Sequence, residues 1–419
     1  MSKDGGPRVA MLAMGCRWVL DLSALPPDDR SAMVRRWSRC IALAGEPSSP
    51  VIDDTEVSIR PRPPGNHDDP AATDVLTHTE DGLPYDLSRA ITLRSITRLT
   101  GQALKLHAAA LTDQQARAIV LVAPSGTGKS TASAALGRDL GYVTDESVVI
   151  LRDGRIAPYP KPPSLIVDPD NRGHKQEVSP DDHGLGPTPP APVVHGLLTL
   201  TRSDEARPPR IEPVDLIDHL LTILPETSSI AALPGGLARL AEIASLGGGP
   251  ARLVYAEIGD CAHLVASHLD PSGTPPSWIH HPPTAAQTWR EDETKPNQEK
   301  TESGEGSEPA AEGGQSSAPG DRRFERAPWT DAIEYEGDFL ILRGPVPILL
   351  QGVGASLWRA CATPSQHAEL VASTVADWGE HPQAGDLVTS ALDGLIAAGL
   401  LRCAEPAYPT GASARNTGP

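Results

Sequence analysis

The segment Ala123-Pro124-Ser125-Gly126-Thr127-Gly128-Lys129-Ser130-Thr131 restricts this chain's fold more than any other stretch. It follows an apolar run at 118–122 and opens into residues 129–140, which carry helical spacing. A Gly-rich turn between a strand and a helix, closed by Lys-Ser, is the pattern of a phosphate-binding loop. Its glycines let successive backbone N–H groups turn inward around phosphate oxygens, and the helix N-terminus adds positive potential. On this reading Ser125, Gly126, Thr127 and Gly128 wrap the phosphates and Lys129 holds the β/γ pair. The Ser130 hydroxyl reaches Mg²⁺, and Thr131 lines the site. ATP and Mg²⁺ are therefore the expected cofactors.

Such a loop belongs to an α/β layer structure, and the surrounding sequence alternates accordingly. Short apolar runs at 106–111, 118–122, 147–152, 155–159, 193–201 and 252–258 read as strands. Helical spacing recurs at 214–224, 236–246 and 260–269. Asp153-Gly154 is a hairpin signal, because both positions tolerate positive φ.

The rest of the 419 residues divides by composition. Residues 1–100 read as an α+β lead-in, with strand-like 8–22, helical 30–41 and a further helix over 86–104. Residues 271–326 are dominated by Pro, Gly, Ser, Glu and Gln, a composition that predicts a disordered linker between 101–270 and a small domain at 327–405. That domain pairs three strand patterns (331–335, 339–343, 346–350) with three helical ones (355–361, 366–378, 386–398), and 406–419 reads as a disordered tail.

With 36 basic against 54 acidic residues the formal charge is −18, which argues against nucleic acid and anionic membrane as partners. No apolar stretch approaches the length of a membrane span, and the five scattered cysteines include no C-x-x-C pair. A reducing cytoplasmic setting is the expectation.

Beyond the loop, Asp145 and Glu146 stand just ahead of the predicted hairpin, close enough to serve phosphoryl transfer as a base and a metal-side carboxylate. Leu106-His107-Ala108-Ala109, the loop, Asp145-Glu146 and Tyr159-Pro160-Lys161-Pro162 follow one another with the order and spacing of the HPr kinase/phosphorylase C-terminal domain, and residues 100–270 resemble that family. The resemblance implies a P-loop kinase core of the HPr kinase/phosphoenolpyruvate carboxykinase type. It also implies Asp145 as general base, Glu146 as metal ligand with Ser130, and His107 holding or polarising Asp145, with the roles of the two acids exchangeable. Lys161 is a further candidate for a phosphate or substrate contact. Ala123 replaces the family's first glycine and Asp-Glu replaces its paired Asp, so HPr itself is not the expected acceptor.

Residues 331–403 resemble the PqqD-like family of small winged-helix α+β domains that recognise leader peptides. The resemblance rests on Gly337-Asp338, Gln351-Gly352-Val353-Gly354, Leu357-Trp358 and the closing Leu395–Leu401 run. It implies that an extended peptide adds to the sheet edge at 346–350 beside the last helix, with Trp358, Leu349 and Leu395 expected mainly in the core. Together the two resemblances imply a serine-type kinase for a ribosomally made precursor peptide, with other peptide-modifying enzymes as further partners. A tether of about 55 residues, roughly 40 Å end to end, would hold the peptide near millimolar effective concentration. Two alternatives remain open at the level of sequence: a small-molecule kinase acting on a sugar, polyol or amino acid, and a non-catalytic ATP-gated peptide chaperone.

Overall fold

Two turn residues with positive φ, Met14 (53°) and Gly15 (76°), fold the first apolar stretch into an antiparallel hairpin, β1 (Arg8–Ala13) and β2 (Cys16–Asp21). The continuous strand-like run expected over 8–22 is thus two strands, because the turn lacks the Asn or Asp that usually announces one. This computed structural model describes residues 8–62, 75–77, 83–124, 128–166, 175–205, 208–271, 274–285, 287–290 and 322–404. The loop positions Ser125, Gly126 and Thr127 lie outside these residues, as do the tail called at 406–419 and most of the linker called at 271–326.

The described residues fall into two compact units, Met1–Ser277 and Trp278–Pro419. In the first, the hairpin extends into a four-stranded sheet with β3 (Asp53–Arg62) and β4 (Val75–Thr77). The helix expected over 30–41 is two helices, α1 (Pro27–Arg36) and α2 (Ser38–Ala44), broken at the fully buried Trp37. Pro and two Asp in the first turn of α1 and two Arg in its last match the helix dipole. The next helix, α3 (Leu83–Arg98), starts earlier and ends sooner than the 86–104 expected, since 99–103 form the turn around Gly101 at φ 75°. Buried residues of this lead-in, among them Trp18, Trp37, Leu87 and Ile91, share one core with Val149, Ala157 and Tyr159. Lead-in and loop segment therefore belong to one compact unit.

The strand expected over 106–111 divides at His107. Before it, β5 (Leu104–Leu106) belongs to a small sheet; after it, β6 (Ala108–Thr112) joins a six-stranded one. Along the chain follow β7 (Arg117–Val122), α4 (Lys129–Leu136), β8 (Gly141–Thr144), then the hairpin strands β9 (Val148–Ile150) and β10 (Ile156–Ala157), which pair with β5. After the short pair β11 (Ser164–Ile166) and β12 (Lys175–Glu177) come β13 (Val193–Arg202), β14 (Arg210–Pro213), α5 (Leu216–Ile223), α6 (Gly236–Ala244), β15 (Ala251–Tyr255) and α7 (Ala262–Ser267).

The large sheet has the order β14-β15-β13-β7-β6-β8. β13 runs parallel to both β7 and β15, while β6 is antiparallel to both β7 and β8. Hence β7, β8, β13 and β15 all point the same way, and their C-terminal ends line one edge, where ligands of open α/β sheets bind. The loop after β7 and the acids after β8 consequently emerge on the same edge.

In the second unit, β16 (Trp278–His280) pairs with β18 (Asp331–Tyr335), followed in the sheet by β19 (Asp338–Arg343) and β20 (Val346–Leu350). The three-stranded sheet expected here has a fourth strand from within the segment called linker; flanking prolines hid the Trp-Ile-His run. A smaller sheet unites β17 (Arg323–Arg326), β21 (Ser365–Gln366) and β22 (Leu401–Cys403). Helices α8 (Gly352–Ala360), α9 (His367–Trp378) and α10 (Ala384–Ala397) fall within three residues of their expected bounds. Trp329, Phe339 and Trp358 pack edge to face with centroids 4.8 and 5.5 Å apart, and the Arg326 guanidinium lies 3.6 Å over the Trp358 ring. Trp358 and Leu395 are buried as expected, but Leu349 is exposed, because β20 is an edge strand.

Candidate functional site

Gly128 takes φ 102°, a conformation glycine adopts at little cost, and it starts α4 so that Lys129 and Ser130 occupy the first helical turn. Lys129 is buried at 7% exposure; its Nζ donates to the Ala123 carbonyl and lies 3.7 Å from Glu226 Oε2. Burial lowers the pKa of this ammonium, against the opposing pull of Glu226. A cation held in so little water is a strong point of attraction for phosphate.

The seam between the two sheets sets His107. Its backbone N–H donates to Glu226 O (2.7 Å), and the next N–H, of Ala108, donates to Glu146 O (3.1 Å). Its ring Nδ1 lies 3.0 Å from Glu226 Oε2. His107 was expected to hold Asp145; its carboxylate partner is instead Glu226, which connects it to Lys129.

Asp145 is held from the other side. Tyr142, fully buried, donates its hydroxyl to Asp145 Oδ1 (3.1 Å), and Lys161 Nζ lies 3.2 Å from Asp145 Oδ1 and 3.3 Å from Glu146 Oε2. Lys161, read as a possible ligand contact, is a buried cation that bridges the two acids. Burial disfavours its charge, but Asp145, Glu146 and Glu177 outweigh that and raise its pKa. Glu177 completes the cluster, with hydroxyls of Ser88 and Ser164 donating to its two oxygens. Burial pushes its carboxyl up to about 7, with Lys161 opposing.

These groups share a cleft of about 760 Å³ lined by Gly128, Lys129, Ser130, Thr131, His107, Asp145, Glu146, Lys161 and Glu177. All candidate residues of the kinase site within the described part of the chain thus meet in one cavity, from positions up to 54 residues apart (His107 and Lys161). The opposite wall is α3, through Tyr85, Ser88, Arg89, Thr92 and Leu93, spaced as one helical face. A side chamber of about 330 Å³ shares Thr92, Leu93, His107 and Glu146 with this cleft and reaches Glu226 and Lys105. Glu226, Glu177 and the α3 face carried no local motif. Glu226 and Glu177 are single polar residues, each brought in from a separate element, and α3 contributes a mixed face.

Among the described residues no group of three or more His, Cys, Asp or Glu is arranged to hold a metal by itself. Mg²⁺ in kinase sites takes one or two carboxylates and completes its shell with phosphates and water, and Ser130 with Glu146 on the cleft wall fits that donor set. Four of the five cysteines are buried, and all are free. No described helix is long and apolar enough to cross a membrane.

A solved Hpr(Ser) kinase/phosphatase from Coxiella burnetii matches this structure over 39% of this chain and 92% of its own, at 14% identity and a TM-score of 0.22. No family model matches the chain, and no curated protein matches it.

Proposed function

We propose that this protein is an ATP-dependent kinase that phosphorylates a hydroxyl, that of a serine, on a ribosomally made precursor peptide captured by its second unit. One observation carries the reading: the Gly128–Thr131 end of a phosphate-binding loop shares a single cleft with two acids bridged by a buried lysine.

In this reading Lys129 holds the β/γ phosphates, and Glu226 keeps its ammonium in place and orients His107. Ser130 and Glu146 would hold Mg²⁺, which would supply charge neutralisation at the transferring phosphoryl group. Asp145 accepts the proton of the attacking hydroxyl. Lys161 places a positive charge between the two adjacent carboxylates and offsets the repulsion between them. The acceptor approaches along α3, the wall not occupied by loop or acids.

Capture rests on the edge of the second unit's sheet. Val346 and Leu349 of β20 are 56% and 37% exposed, and among the described residues β20 is an outer strand, whose edge can offer N–H and C=O groups to an extended peptide. We assign this unit the PqqD-like role on that basis.

The test is to incubate the full chain with ATP, Mg²⁺ and a serine-bearing precursor peptide, and to locate phosphate by mass spectrometry. Phosphoserine on the peptide supports the reading. ATP turnover that yields only inorganic phosphate, or phosphate on a small molecule alone, overturns it.

A further inference from the structure

Among the described residues, three lysine and arginine side chains line the acid-bearing cleft, and two of them are committed within the fold. Lys129 stands beside Glu226, and Lys161 bridges Asp145 and Glu146. The third, Arg89, is exposed on α3 and has no ion-pair partner among the described residues. It belongs to the wall formed by α3, apart from the loop, where Lys129 already supplies a cation for a triphosphate.

Arg89 is the centre of a stripe. Tyr85, Arg89 and Leu93 follow one another four residues apart, so they share one face of α3 over about 12 Å. The helix buries Leu87, Ile91 and Ser95 in the core and leaves this stripe outside. Tyr85 and Leu93, 55% and 53% exposed, are the most exposed large apolar side chains among the described residues of the first unit. Leu93 also lines a groove of about 410 Å³ together with Trp18 and Val57. Both halves of the stripe reach toward the reacting groups. Ser88, next to Arg89, donates its hydroxyl to Glu177, whose charge acts on Lys161. Thr92, next to Leu93, lines the side chamber with His107 and Glu146.

An acceptor hydroxyl brought to Asp145 therefore carries its neighbouring residues onto α3, whose stripe is as long as about four residues of extended chain. We propose that Tyr85, Arg89 and Leu93 select the acceptor segment: a serine with an acidic side chain on Arg89 and an apolar one on Leu93, each within about two positions of it. This inference rests on the kinase reading above. The charge pattern gives it direction. Elsewhere in the cleft an acidic side chain would meet Asp145, Glu146 and Glu177, whereas a guanidinium not used by the fold can hold a carboxylate through two parallel hydrogen bonds. The apolar neighbour covers Leu93 and reaches the groove of Trp18 and Val57.

The experiment follows phosphate transfer by the full chain, at saturating ATP and Mg²⁺, to short synthetic peptides amidated at the C-terminus so that only side chains carry carboxylates. In these peptides a single serine is flanked by Asp and Leu, by Lys and Leu, or by Asp and Ala. Wild type should show kcat/KM about tenfold higher for the Asp-Leu peptide than for the Lys-Leu peptide. Arg89→Glu should reverse that order and leave the KM for ATP unchanged. Leu93→Ala should lower kcat/KM for the Asp-Leu peptide by roughly tenfold and spare the Asp-Ala peptide. A wild type indifferent to the flanking charge overturns the proposal. So does an Arg89→Glu variant that raises the KM for ATP or slows the Asp and Lys peptides alike, because the guanidinium would then serve the phosphates. Transfer to none of the three peptides overturns the specificity alone if a full precursor peptide is still labelled, and the kinase reading as well if it is not.

Discussion

The two units of this chain both bury charge, Arg326 and Asp331 in the second, but the first gathers its buried charge around one cleft. In Met1–Ser277, charge is drawn inward: Lys129, Lys161, Asp145 and Glu177 are all under 9% exposed and face one cleft. In Trp278–Pro419 the centre is a cluster of Trp329, Phe339 and Trp358, and the outer strand β20 carries the exposed Val346 and Leu349 on which the proposed capture rests. Buried charge is costly and is retained where chemistry needs a defined field, whereas an open strand edge suits binding without chemistry. The contrast teaches that turnover and capture should respond to different substitutions.

The sharpest break of that contrast is Lys129→Ala. It should lower kcat for phosphate transfer about a thousandfold, with peptide affinity unchanged, as read by steady-state kinetics and peptide titration. Peptide binding lost in step with turnover would erase the distinction between the units.

The next effect concerns the cost of buried charge. Glu177 has its carboxyl pKa raised to about 7 from an ordinary 4.5, so the folded state holds a proton that the unfolded state releases. Its contribution is full below pH 4.5 and is lost as pH rises through 7. Linkage gives roughly 3 kcal/mol across that window. Glu177→Gln should keep what wild type loses, so its urea stability relative to wild type should rise between pH 4.5 and pH 8. A difference independent of pH would mean that burial does not control this carboxyl.

A smaller loss is expected from Glu226→Gln, which removes the charge between His107 and Lys129. It should reduce kcat/KM for transfer by roughly tenfold and leave peptide affinity intact. An effect confined to peptide binding would place Glu226 outside the phosphate site.

The smallest belongs to the second unit. Leu349→Lys on the exposed edge should raise KM for the peptide by roughly tenfold and leave kcat at saturating peptide unchanged. A fall in kcat instead would make the edge part of the chemistry.

What could be read from sequence follows local signals. The strand before the loop, Gly128 and the helix after it, the hairpin at Asp153-Gly154, and the three helices of the second unit each carry their own periodicity or turn residues. The division at His107 carried none. Every residue of β5 and β6 is buried, so no alternation betrays where the chain passes from one sheet to the next. Glu226 was invisible for a related reason. It follows Pro225 at the end of a short 3-10 helix, and long-range backbone pairing of 105–107 with 226–228 brings it to His107 and Lys129. Lys161 was noticed as a contact candidate, but its bridging of the two acids was not legible, because nothing next to a lysine between prolines shows which carboxylates it will meet.

The most direct test of the account is single-turnover transfer of the γ-phosphoryl of labelled ATP to the precursor peptide, comparing wild type with Asp145→Asn at saturating concentrations of both substrates. The account predicts labelled peptide from wild type, and a rate about a thousandfold lower from the variant, which still binds both substrates. Labelling at equal rates would contradict it, because the carboxylate beside Lys161 would then have no part in activating the hydroxyl.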